Sequence, residues 1–157
     1  MAKPTSDKIS LRHQARQLAL QTIYAWVMSG APIEQIKQDL LDENFFLLEQ
    51  PNAYDHEYYQ NLMKGIVPEA RALDEAIAPF LDRDLSQINP VEHAILRIGA
   101  YELKTYLEIP YRVILNEGIL LAKKFGASDS HKFINGVLDK LAKTFRVSEI
   151  KEHASIA

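Results

Sequence analysis

Apolar residues recur along this chain at intervals of three and four, the spacing that lines one face of an α-helix. The first such run extends from Leu11 to Ser29, with Ser10 at the capping position and Gly30 at the stop. Leu11, Ala15, Leu18, Ala19, Ile23 and Trp26 form its main stripe. Leu20, Tyr24 and Val27 form a second stripe well off the first. A helix apolar on two sides is either central in a core or shared with a partner. Pro32 opens a short second helix to about Asp42. Residues 43–54 read as a connection in which Phe45, Phe46, Leu47 and Leu48 need apolar cover. Helical spacing then resumes from Asp55 to about Leu81, and Pro68 inside it predicts two helices or one kinked helix.

Asn89-Pro90-Val91-Glu92 carries three helix-start signals: a capping asparagine, proline at the first helical position and a capping-box glutamate. The helix that follows, to about Tyr106, has Val91, Ile95 and Ile98 on one face and Leu96, Leu103 and Leu107 on another, which predicts a central position. Pro110 opens the next helix and Phe125-Gly126 closes it. A last helix spans Asp129 to Phe145, with Ser128 as candidate cap. No strand alternation, hairpin signal or fixed-period repeat interrupts this pattern. The expectation is an all-α fold, one domain of about six or seven helices over residues 10–145. A flexible basic arm (1–9) and a frayed polar tail (146–157) are expected to flank it.

Composition narrows the class. A chain of 157 residues, 47% apolar and 25% charged, can bury a core of its own. No apolar run approaches the roughly 18 residues of a membrane span, and the first residues lack the apolar stretch of a leader, so a cytoplasmic setting is expected. The absence of cysteine removes disulfides, thiolate metal sites and cysteine nucleophiles. The net charge of −3 is divided unevenly. Residues 32–92 hold thirteen acidic side chains against four basic, whereas 110–146 hold seven basic against three acidic. Residues 1–16 are basic as well, through Lys3, Lys8, Arg12 and Arg16 against Asp7. Such polarity steers a polyanion to one side if the basic ends meet; otherwise these are ordinary solvated faces.

Nothing in the chain reads as catalytic. Asp129-Ser130-His131 contains the residue types of a nucleophile triad, but consecutive helical residues diverge by about 100° and cannot converge on one atom. The five histidines are scattered singly, without the spacing of a helical zinc site. The six glycines form no phosphate loop. No enzyme activity, cofactor or metal is therefore expected. Glu102, within an apolar stripe, reads as a partly buried carboxylate bonded to a neighbouring helix end.

Periodicity does single out the last helix. Ile134, Val137, Leu138, Leu141 and Phe145 form its core stripe, with Asp129, Lys132, Gly136 and Lys140 opposite. Phe133 lies about 100° from the stripe centre. Two readings stay open: a boundary ring covered by a neighbouring helix, or a platform for an unpaired base beside a lysine.

Three ordered stretches resemble the NusB family of bacterial antitermination factors. They are Pro90-Val91-Glu92-His93-Ala94-Ile95-Leu96-Arg97-Ile98-Gly99-Ala100-Tyr101-Glu102-Leu103; Pro110 to Glu117, leading through Ala122-Lys123-Lys124-Phe125-Gly126 into Asp129 to Lys140; and Arg12-His13-Gln14-Ala15-Arg16, ending in Ile23-Tyr24-Ala25-Trp26. The resemblance covers roughly Leu11 to Phe145 and is weakest over residues 30–85. It implies two small packed helical subdomains. It further implies a non-enzymatic factor that binds the single-stranded boxA element of ribosomal RNA operon transcripts together with the ribosomal protein NusE. The pair then acts on RNA polymerase with the other Nus factors. Carried onto this chain, it implies RNA contact by Arg12, His13, Arg16, Asp129, Lys132 and Phe133, and NusE contact by Tyr24 and Glu92. The opening helix departs from the family's arginine run, and His13 makes part of that contact pH-dependent. Two alternatives accompany this reading. One is the related accessory domain of ribosomal RNA cytosine methyltransferases, expected to continue into a βαβ cofactor unit with catalytic cysteines. The other is a purely structural or self-associating helical protein, and the second stripe of the first helix would also suit a homodimer.

Overall fold

The computed structural model describes residues 6–45, 49–50 and 53–156. Lys3 of the expected basic arm and the apolar Phe46, Leu47 and Leu48 lie outside the described residues. Among those described there are seven α-helices and no strand: α1 (Ser6–Ser29), α2 (Ile33–Glu43), α3 (His56–Ile77), α4 (Pro90–Thr105), α5 (Tyr111–Phe125), α6 (Ser130–Phe145) and α7 (Val147–Ile156). Two short 3-10 turns, Ala78–Phe80 and Leu85–Gln87, join α3 to α4. The chain forms two compact units, Met1–Val67 and Pro68–Ala157, which divide within α3. α3 runs through Pro68 as one helix, where the spacing predicts a break or a kink. The division falls at the residue that has no backbone N–H for the helical ladder.

In the first unit the main stripe of α1 is internal: Ala15, Leu18, Ala19 and Ile23 are buried, with Tyr59, Leu62 and Ile66 of α3. α1 begins at Ser6, four residues ahead of the predicted cap at Ser10. It ends where expected, at Gly30, whose φ of +70° is the left-handed conformation that glycine adopts without strain. The second stripe splits, because Leu20 is buried whereas Tyr24 and Val27 are exposed. A buried polar chain ties α1 to α3. The Thr22 hydroxyl donates to the Leu18 carbonyl (2.7 Å), so the Tyr59 hydroxyl, 2.8 Å away, must donate to Thr22. Burial pushes the Tyr59 phenol up to about 12.

The second unit packs α4, α5 and α6 against one another. α4 is buried along almost its whole length, as a helix apolar on two faces requires. Asn89 caps it by accepting from the Val91 amide (2.8 Å), with Pro90 at the first helical position. Leu107, expected on an apolar face of this helix, lies beyond its end at Thr105 and is 64% exposed. Leu138 of α6 fills the space left by two glycines: a Cβ on Gly99 would lie 2.6 Å from Leu138 Cδ2, and one on Gly118 2.7 Å from Cδ1. α6 opens at Ser130 rather than Asp129, and the Ser130 hydroxyl accepts from the Ala127 amide at 3.1 Å.

Where the spacing predicts a frayed tail after Phe145, the chain continues into α7, and Arg146 explains why. Its guanidinium, on a residue 3% exposed, donates to the carbonyls of Leu103 (2.7 Å), Tyr106 (2.8 Å), Ile109 (2.7 Å) and Glu102 (3.3 Å). It also donates to Glu149 (2.6 Å), whose other oxygen accepts from the Tyr111 amide (2.9 Å) at the start of α5. The Glu102 and Tyr106 carbonyls also accept from the amides of Tyr106 (2.9 Å) and Ile109 (3.0 Å), so Arg146 is a second donor to them and the side-chain donor to Leu103 and Ile109, while Glu149 satisfies an orphan amide that begins α5.

Candidate nucleic-acid interface

The residues singled out in the sequence fall in both units, and each group is described within its own. On α1, Arg12 and Arg16 are one helical turn apart and both lean on Tyr58, their guanidinium carbons 4.9 and 5.2 Å from the ring centroid. Tyr58 is held there because Asp55 caps α3, its carboxylate accepting from the Tyr58 amide at 3.0 Å. Arg12 also faces that carboxylate at 3.9 Å and stays partly exposed. Its Nε is buried without a hydrogen-bond partner among the described residues. Arg16 is 2% exposed, and its Nη2 donates to the Tyr58 hydroxyl at 3.3 Å. Arg16 is thus a component of the core, and a phosphate would meet it only if it left Tyr58. His13 is partly buried, its Nε2 2.9 Å from the Gln17 amide nitrogen.

On α6 the outward face is open. Asp129, at the capping position, makes no side-chain cap bond and pairs loosely with Lys132 at 3.7 Å, both side chains more than 70% exposed. Phe133 is partly exposed, off the buried stripe of Ile134, Val137, Leu138 and Leu141. What lies on it is the guanidinium of Arg83, 4.9 Å from the ring centroid. Gly136, one turn on, has nothing within 4 Å of where a Cβ would stand, so neither packing nor backbone conformation calls for a glycine there. Lys132, Phe133, Gly136 and Lys140 together offer two cations, a flat ring and bare backbone along one helix face.

Arg83 was not legible in the sequence. It sits between the two 3-10 turns, where no helical period assigns a facing partner, inside the most acidic stretch of the chain. The residues expected at a partner surface behave differently from one another. Tyr24 is 39% exposed on α1, whereas Glu92, in the first turn of α4, is only 9% exposed. The capping-box bond expected of Glu92 is absent from the α4 cap, which Asn89 makes alone.

A further charged cluster joins α3 to α4 within the second unit. Asp74 accepts from Arg97 Nε (2.9 Å) and Nη2 (2.7 Å), and lies 2.7 Å from His93 Nε2. Burial pushes the Asp74 carboxyl up, but the hydrogen bonds and charges of His93 and Arg97 outweigh it and hold the carboxyl below its ordinary value. Groups of acidic and histidine side chains able to hold a metal ion do not occur among the described residues.

The NusB family model matches residues 13–143. This chain belongs to the NusB family. It is 45% identical over 143 residues to the transcription antitermination protein NusB of Alcanivorax borkumensis, covering 91% of this chain and 92% of that one. It is 48% identical over 139 residues to the NusB of Pseudoalteromonas translucida, covering 88% and 98%. Its fold is similar to a chain in a crystal structure of antitermination factors NusB and NusE in complex with dsRNA. That likeness has a TM-score of 0.74 at 26% identity and covers 86% of this chain and 98% of the other.

Proposed function

We propose that this chain is a transcription antitermination factor that binds RNA together with a ribosomal-protein partner and performs no catalysis. Its membership in the NusB family and its likeness to a chain solved with NusE and RNA support the general reading. The observation that carries the RNA-binding part is Phe133, a partly exposed ring between an arginine and an open, lysine-bearing helix face. Phosphates meet Lys132, with Arg12 contributing from α1 and His13 and Arg16 in lesser roles, given their burial. Asp129 accepts from a base amino group. Tyr24 contributes an aromatic anchor to the protein partner, NusE, and Glu92 flanks it.

The RNA in the similar complex is double-stranded. For this chain an unpaired target, the boxA element, fits the ring better, because bases inside a duplex already have both faces stacked. The cytoplasm, beside RNA polymerase and the other Nus factors, is the setting in which that target arises. The methyltransferase-associated alternative has no observation in its favour.

Filter binding of the full chain to single-stranded boxA RNA, a scrambled strand and a duplex, each with and without NusE, tests the reading. The expected result is preference for the boxA strand, enhanced by NusE, with affinity falling steeply as salt is added. Equal binding to all three RNAs, or a flat salt dependence, overturns it. Tyr24→Asp is expected to weaken NusE binding while the helical circular dichroism signal is kept.

A further inference from the structure

Arg83 is an exposed arginine held in an unusual place. Its Nε donates to Asp82 at 3.1 Å, and its guanidinium stands 4.9 Å from the centre of the Phe133 ring. Among the described residues its terminal nitrogens make no hydrogen bond. An exposed cation ordinarily keeps its water, and resting a guanidinium on a partly exposed ring gains little. The contact therefore adds little to the fold, yet it covers the one aromatic surface that the outward side of α6 presents. Gly136, one helical turn on, leaves the helix backbone bare.

We infer that Arg83 is a second half of the base-binding subsite, a movable planar lid that sandwiches an unpaired base against Phe133. This inference rests on the RNA-binding reading above. A guanidinium is flat and delocalised, so it stacks on a base as well as on a phenyl ring. Its side chain springs from the segment between two 3-10 turns, and it can withdraw by the thickness of one base without disturbing a helix. Asp82 holds the edge of the guanidinium by Nε, which leaves the Nη groups to donate to a base acceptor or a phosphate oxygen. In the unbound chain the lid rests on the ring and keeps it from lying bare to water.

The experiment is a double-mutant cycle on RNA affinity, with Arg83→Ala, Arg83→Lys, Phe133→Ala and the double variant Arg83→Ala/Phe133→Ala, and with melting temperature measured on each. Arg83→Ala is expected to weaken single-stranded RNA binding by roughly tenfold, within the range of a desolvated cation–π contact, without a change in melting temperature. Arg83→Lys keeps the charge but not the plane, and is expected to recover little of the loss. In the Phe133→Ala background the Arg83→Ala loss should shrink to about twofold or less, since the sandwich has lost its other face. Full recovery by lysine, or losses that simply add, would identify a phosphate contact and overturn the lid while the RNA-binding reading stands. Tighter binding by Arg83→Ala would mean that the arginine competes with the base, which also overturns it. If Phe133→Ala itself leaves RNA affinity unchanged, the underlying assignment of the ring fails, and the lid with it.

Discussion

Phe133 and Arg16 sit on helices with the same spacing rules, and the fold treats them in opposite ways. Phe133 is a large apolar ring left partly in water, whereas Arg16 is a permanent cation placed 2% exposed in the core. The ring's position was legible, since an angle of about 100° from the stripe puts a residue at the edge of a core. Its neighbour Arg83 was not, because loops have no period. The burial of Arg16 was not legible for a related reason. Spacing counts charges but does not show that an aromatic face and a hydroxyl, both from Tyr58, lie in wait forty-two residues away. Phe133→Ala is expected to cost roughly 1–3 kcal/mol of RNA affinity, the scale of one base on one ring. Its effect on stability should stay well below the roughly 3–5 kcal/mol lost when a fully buried phenylalanine is truncated. RNA titration and thermal melting of the same sample separate the two quantities. A collapsed melting temperature with unchanged affinity would return Phe133 to the core.

At the scale of elements, two contacts decide how α4, α5 and α6 meet. Leu138 is wedged between Gly99 and Gly118, so a methyl on either glycine drives its side chain toward the other. Gly118→Ala would gain about 1 kcal/mol in helix propensity on an exposed face. Here overpacking should outweigh that gain and destabilise the protein by about 1–3 kcal/mol, read from the midpoint of urea unfolding. Gly136→Ala is the control: nothing stands within 4 Å of its Cβ, so stability is expected to rise slightly. The second contact is Arg146, which satisfies four carbonyls and a carboxylate from a nearly dry position. Arg146→Met should cost on the order of 3–5 kcal/mol, because it takes a buried donor from the Leu103 and Ile109 carbonyls and the cation from the Glu149 carboxylate. Truncation before Arg146 should be at least as severe, measurable by the same unfolding curve. Melting temperatures unchanged by either alteration would show that the α4–α5 connection closes without the C-terminal segment.

For the molecule as a whole, pH dependence in acid should centre on Asp74. Its carboxyl is held below the ordinary value of 3.8 by His93 and Arg97 despite burial. A carboxyl whose folded value lies below its unfolded one stabilises the protein fully above 3.8, and that contribution is lost as pH falls through the lower, folded value. Unfolding curves taken from neutral pH into acid should therefore steepen in that window. Asp74→Asn is expected to be less stable than the parent at neutral pH and to show a shallower acid dependence. An unaltered acid profile in Asp74→Asn would place the responsible carboxylate elsewhere.

Most of the secondary structure was written locally. Prolines that fit a first helical turn, asparagine and glycine at helix ends, and apolar residues every three or four positions act over a few residues, so they can be read without knowing the fold. The burial of α4 followed from its two apolar faces, and the outward side of α6 from the position of its lysines. What the chain alone did not disclose depended on contacts between distant segments. The continuity of α3 through Pro68 is one case, since a proline's penalty in one helix is weighed against the packing of both flanks. The ordered segment after Phe145 is another: its composition is polar, and the bonds that Arg146 and Glu149 make to the α4–α5 connection join segments about forty residues apart. Arg83 on Phe133 is the third. Which charge rests on which ring is a matter of where loops pass over helices, and no short-range pattern records it.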